Sequence, residues 1–172
     1  MQQYETLFSE AQIATRVQEM AKEIAASPIR PQVAAPILVG AYIFAADLLR
    51  ALYKEGISLS TEFLWLRSYV GHASSKQMQV LVPPDEKFRG KNVLLIDGVL
   101  DGGDTMKKAT ELAFEYGASH VQSAVIVDKL RADAVAKADY AGFTGVNEFI
   151  VGYGMDDSGA DRGVPYIGKV AV

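Results

Sequence analysis

The run Val93–Ile96 (VLLI) is apolar at four consecutive positions, and a strand of that kind has to be covered on both faces. A strand with one face in water would alternate instead. The same demand recurs in APILVG, ending at Gly40, in Val121–Val127 and in Phe149–Val151. Between these runs the spacing turns helical. Ser9 and Gln12 have capping-box spacing, and Ile13, Val17, Met20 and Ile24 then recur at the helical period. They predict a helix over Glu10–Ala26, closed by Ser27-Pro28 and Arg30-Pro31. YIFAADLLRALYKEG predicts a second helix ending at Gly56, and Thr105–Tyr116 a third ending at Gly117. Strands are also expected at Thr61–Leu66 and Gln77–Val82, with the polar SYVGHASSKQ between them read as a loop. Buried strands alternating with helices imply an α/β fold, with a mostly parallel central sheet flanked by helices. No repeat or linker divides the chain, so residues 1–172 are expected to form a single domain.

The bulk properties narrow the function. A net charge of −4 argues against a nucleic-acid binder, which normally presents a basic face. There are no cysteines, which excludes disulfides and thiolate metal sites. The first residues lack the basic start and apolar core of a signal peptide, and Val33–Leu49 is interrupted by Gly40 and Asp47. No membrane span is expected, and a cytoplasmic location follows as the expectation.

In VLLIDGVLDGGDT an apolar strand runs into three aspartates. Gly102 and Gly103 permit close approach of a bulky anion, and Thr105 opens a helix whose first amides are unpaired. That is a phosphate cradle, or else an ordinary βα turn capped by Asp104 or Thr105. Neither the G-x-G-x-x-G nor the G-x-x-x-x-G-K-[ST] fingerprint is present, which argues against a dinucleotide site and a P-loop. Lys129 closes another apolar strand, where an unpaired buried ammonium would be costly.

The stretch Asp97–Thr105 resembles the phosphoribosyl-pyrophosphate signature of the type I phosphoribosyltransferases. Further segments, in order, resemble the hypoxanthine/guanine members: LFSEAQIATRVQEMAKEI, ILVGAYIFAADLL, FLWLRSYVGH, VIVDK and EFIVGYGMDDSGADRGVPYIGKV. The resemblance covers nearly the whole chain. It implies the type I phosphoribosyltransferase fold, with a small hood formed by the terminal segments. It implies purine salvage, in which hypoxanthine or guanine and 5-phospho-α-D-ribose 1-diphosphate give IMP or GMP and diphosphate. Asp101 would be the general base at purine N7. Asp97 would hold a ribose hydroxyl or its magnesium, and Gly102, Gly103, Asp104 and Thr105 the 5-phosphate. Val39 and Gly40 lie where the first loop orients pyrophosphate, which Arg162 would bind. Lys129 would donate to O6 of a 6-oxopurine, Phe149 would stack on the base, and Ile150 would offer backbone groups to it. Ser68 and Tyr69 match the pair on a mobile loop, and Asp97 and Asp156 match magnesium positions. The cofactor implied is Mg2+, and the assembly a homodimer or homotetramer.

Three residues depart from that pattern. Gly98 stands where a second acid is usual, Val39 where the first loop has Lys or Arg, and Asp104 where Asn, Lys or Arg is more common. Val39 and Asp104 make the site less electropositive, and Gly98 removes an oxygen. An active enzyme with a relaxed site is one reading, in which Gly98→Asp lowers the KM for phosphoribosyl pyrophosphate. A nucleotide-binding or regulatory protein on the same fold is another, and a transferase preferring a different base, such as xanthine, a third.

Overall fold

The computed structural model describes residues 4–70 and 76–170. Strand β1 spans Tyr4–Phe8, followed by helix α1 (Glu10–Ala26), strand β2 (Val33–Leu38) and helix α2 (Tyr42–Lys54). Strands β3 (Ser60–Thr61), β4 (Leu64–Val70), β5 (Lys76–Val82) and β6 (Asn92–Leu100) come next, then helix α3 (Asp104–Glu115). Strands β7 (His120–Asp128), β8 (Tyr140–Thr144), β9 (Ile150–Val151) and β10 (Ile167–Val170) complete the order.

The larger sheet runs β5-β4-β2-β6-β7-β8, with β3 paired to β2 at the side. All its pairings are parallel except that of β4 with β5. The apolar run of β6 explains itself here. Leu94 and Ile96 join a core with Ile13, Met20 and Ile24 of α1 and Phe44 and Leu48 of α2. Val93 and Leu95 point the other way, into a core with Met106, Ala109 and Leu112 of α3. Both faces are dry, so no position of the run can be polar.

The expected capping box is present: Ser9 Oγ accepts from Gln12 N–H at 3.3 Å, and Gln12 Oε1 accepts from Ser9 N–H at 2.9 Å. Helix α1 has the bounds that its spacing predicts. Other expectations need correcting. Residues 68–70 are not loop but the end of β4, and Lys76 already opens β5, the two strands being in register from Val70↔Lys76 to Leu66↔Val80. The strand starts at Leu64 rather than Thr61. The residues of this ribbon end, SYV and KQ, carry no apolar alternation, so hydrophobic periodicity cannot reveal it. The proposed loop's centre, residues 71–75, lies outside the described residues. Strand β6 likewise runs on to Leu100, so Asp97 and Gly98 belong to it.

The second sheet, β1-β10-β9, is antiparallel and unites the two ends of the chain. Next to it Tyr153, which is buried, donates its hydroxyl to Asp47 Oδ2 on α2 at 2.7 Å. Burial and the Asp47 carboxylate both push the Tyr153 hydroxyl pKa upward. That bond ties the C-terminal segment to the body. Replacing Tyr153 with Phe is expected to cost about 1 kcal/mol. In a chain of this size that lowers Tm by about 2–4 °C in a thermal melt, and an unchanged Tm contradicts the tie.

Candidate active site

Parallel strands deliver their carboxyl ends to one edge, where ligands of open α/β sheets bind. The register of β6 with β7 sets the centre of the site. Leu100 pairs with Asp128, so Asp101 and Lys129 emerge side by side. Lys129 Nζ lies 3.3 Å from Asp101 Oδ2, and its side chain is only 12% exposed, against 46% for Asp101. Arg131 Nη1 donates to the other oxygen, Oδ1, at 3.0 Å. Partial burial alone raises the Asp101 carboxyl, but the bonds from Arg131 and Lys129 outweigh it and hold its pKa below the ordinary carboxylate value.

After Asp101 the chain turns into α3 through Gly103, whose φ is +85°. A Cβ at Gly103 would lie 2.7 Å from Ala136 N, so conformation and space both require glycine. No side chain among the described residues caps α3, which leaves its first amides open to the solvent side. An anion there is favoured by both the amides and the helix dipole. The cleft at this helix start has a volume of about 690 Å³, and Asp97, Asp101, Gly102, Gly103, Asp104, Thr105 and Arg131 are among its walls.

Asp97 is partly buried at the base of the cleft, and its Oδ1 accepts the Gly98 N–H at 2.7 Å. Desolvation dominates over that bond and pushes the carboxyl up to about 7. The neighbouring strand β2 supplies the first loop: the Leu38–Val39 peptide is cis, and Val39 is 40% exposed. A Cβ on Gly98 would lie 3.1 Å from the Gly40 carbonyl oxygen and 3.6 Å from Met155 Cγ. The space an acid would need at position 98 is therefore already narrow, and Gly98→Asp restores an oxygen only by shifting Gly40. On its other side Gly40 meets Gly154, where φ is +103° and a Cβ would come within 2.5 Å of the same oxygen.

The C-terminal segment brings the remaining candidates. Phe149 is 60% exposed and so is no core residue, whereas Ile150 is buried in β9. Arg162 Nη2 lies 2.7 Å from Asp156 Oδ1, and Arg162 Nη1 donates to Gly154 O at 2.8 Å. Asp156 and Arg162 thus hold each other. Ser68 and Tyr69 sit at the far end of β4, paired with Met78 and Gln77 of β5. Arg131 was not singled out by sequence: its segment, LRADAVAKADYAGF, has no periodicity, and only the close spacing to Lys129 hinted at it.

Among the described residues, no group of three or more acidic or imidazole side chains is gathered to cage a metal. Asp97 and Asp156 are separate, hard oxygen donors. Magnesium needs no more than one or two carboxylates when substrate phosphates and water complete its shell, so the donors fit an ion that arrives with a diphosphate.

Asp97 has a consequence for stability. Its folded pKa lies above the unfolded value, so the folded chain binds the extra proton and stability falls as pH rises from about 4 to about 7. Asp97→Asn removes this loss. In metal-free buffer the Tm advantage of the variant is expected to be absent near pH 4, to grow up to pH 7 and to stay level above it; a pH-independent difference contradicts the raised carboxyl.

The chain also matches a protein family described as "Phosphoribosyl transferase domain" over residues 3–158. It is 36% identical over 165 residues to the hypoxanthine-guanine phosphoribosyltransferase of Aquifex aeolicus, covering 94% of this chain and 91% of that one. It is 30% identical over 171 residues to the hypoxanthine phosphoribosyltransferase of Escherichia coli K12, covering 96% and 94%. The solved hypoxanthine phosphoribosyltransferase of Trypanosoma cruzi, in complex with the product IMP, superposes with a TM-score of 0.87 at 29% identity, covering 97% and 94%. These matches agree with the α/β architecture. The chain belongs to the phosphoribosyl transferase domain family.

Proposed function

We propose that the protein is a purine-salvage phosphoribosyltransferase that joins hypoxanthine or guanine to 5-phospho-α-D-ribose 1-diphosphate, giving IMP or GMP and diphosphate. The observation that carries this reading is the Asp101–Lys129 pair beside the open start of α3. A proton acceptor and a phosphate cradle then share one cleft, with a donor for an exocyclic oxygen directly against the acceptor. Relatives named for this activity, similar over nearly their whole length, support it.

In this reading the 5-phosphate rests on the amides of Gly102 to Thr105 and on the Thr105 hydroxyl. Asp97 takes a ribose hydroxyl. The purine stacks on exposed Phe149, with the Ile150 backbone at its edge, and Lys129 donates to O6. As purine N9 forms its bond to ribose C1, the bond from C1 to the diphosphate oxygen breaks, and Asp101 accepts the proton the purine releases at N7. Lys129, having turned to O6, leaves Asp101 a stronger base than in the empty site. Arg162 holds the leaving diphosphate with its planar fork, and Val39 and Gly40 shape the other wall. Mg2+, held by Asp97 and Asp156 with the substrate's own oxygens, would supply charge neutralisation at the diphosphate. Ser68 and Tyr69 would cover the reacting centre and exclude water. A homodimer or homotetramer in the cytoplasm completes the proposal; no described helix is long and apolar enough to cross a membrane.

Val39, Gly98 and Asp104 favour a second reading, a protein that binds nucleotide without turning it over, because Val39 and Asp104 make the site less electropositive and Gly98 lacks an oxygen the reaction would use. The absorbance change on mixing protein, hypoxanthine or guanine, phosphoribosyl pyrophosphate and Mg2+ separates the two. Turnover is expected, and Asp101→Asn should lower kcat by about 10²–10⁴-fold while sparing IMP binding. IMP binding without any turnover by the unmodified protein selects the second reading. Full activity in the Asn variant removes Asp101 from the chemistry.

A further inference from the structure

The segment after β7 carries a feature that the roles above leave unused. Leu130 adopts a φ of 53°, a left-handed conformation that a branched side chain rarely takes. Asp128, buried at the end of β7, holds the turn by accepting the Leu130 N–H at 2.8 Å. The turn aims Arg131 back across the cleft mouth. One guanidinium nitrogen reaches Asp101 Oδ1 at 3.0 Å, and the other two take both oxygens of Asp133 at 2.9 and 2.8 Å. The same segment is fastened to the phosphate loop, since Val135 N–H donates to Gly102 O at 2.8 Å. Arg131 therefore shares the cleft with Gly102–Thr105, on a segment hydrogen-bonded to that loop.

Charge decides what Arg131 is for. The cleft walls carry five acidic side chains and three basic ones, and one of the basic groups, Lys108, already faces Glu111 at 3.9 Å. A phosphate dianion entering such a cleft meets net repulsion, which Asp104 at the loop makes worse. A guanidinium fork is suited to offset it, because it can keep Asp133 on one edge and give the other to a phosphate oxygen. While Arg131 holds Oδ1 and Lys129 holds Oδ2, each oxygen of Asp101 carries a cationic partner, which makes the carboxylate a weaker base toward the purine.

We propose that Arg131 is a phosphate-binding residue that also positions Asp101: a phosphate on the Gly102–Thr105 loop draws its guanidinium off Asp101 and so frees that carboxylate for the purine. The inference deepens the proposed function and rests on it for the identity of the phosphate and the base. Its first test needs no turnover. Ribose 5-phosphate, titrated calorimetrically, is expected to bind the unmodified protein, to bind Arg131→Gln about 10-fold more weakly or worse, and to recover partly in Arg131→Lys, as loss of a charged hydrogen bond predicts. Hypoxanthine should bind the unmodified protein at least about 5-fold more tightly when ribose 5-phosphate saturates it, a coupling that vanishes in Arg131→Gln. Where turnover is measured, the KM for phosphoribosyl pyrophosphate should rise in that variant far more than kcat falls. Equal ribose 5-phosphate affinity in both proteins, coupling that survives the substitution, or failure of the unmodified protein to bind ribose 5-phosphate each overturns the inference. Binding and coupling as expected, without turnover in the unmodified protein, sinks the enzymatic reading alone and leaves the role of Arg131 standing.

Discussion

The parallel register of β6 with β7 is the constraint on which the site depends. Two strands buried on both faces are fixed against slippage, because a shift of one residue would move every apolar side chain to the opposite core. That fixed register ends at Leu100↔Asp128, and the next two residues are a carboxylate and an ammonium. Their approach is therefore a product of core packing rather than of local loop preference. The same strand supplies Asp97 three residues before its end, where partial burial pushes the carboxyl pKa upward.

Around this pair, the first loop and the C-terminal segment are fitted by absence of side chains. Gly98 and Gly154 face the Gly40 carbonyl from two directions, and neither has room for an unstrained Cβ beside it. The Gly40 carbonyl and the Met155 side chain thus crowd the space an acid at position 98 would enter. The site's charge is rearranged rather than only reduced. Asp104 adds a negative charge at the loop, while Arg131, on the segment packed against that loop, supplies a positive one.

Much of this was legible in the residues. The continuous apolar runs identified a covered parallel sheet, and the Ser9–Gln12 box located the start of α1. Asp97, Asp101 and Lys129 were readable as strand ends, although β6 extends further than its apolar run because the ladder with β7 continues through Asp97 and Val99. What escaped depended on distant partners. Strand β1 exists only because β10, more than 150 residues away, pairs with it. Strand β8 contains Gly142, where a Cβ would lie 2.6 Å from Ile126 O; a glycine inside a short strand weakens the pattern that would reveal it. Arg131 reaches Asp101 through a left-handed leucine, a conformation no propensity predicts.

The central claim is that the ends of β6 and β7, with the start of α3, form one cradle for a purine nucleotide. A crystal structure of the protein soaked with IMP tests it most directly. The account predicts the phosphate on the amides of Gly102 to Thr105, the purine against Phe149, and its O6 within hydrogen-bonding distance of Lys129. IMP bound elsewhere, or bound with its phosphate away from the α3 start, would contradict it.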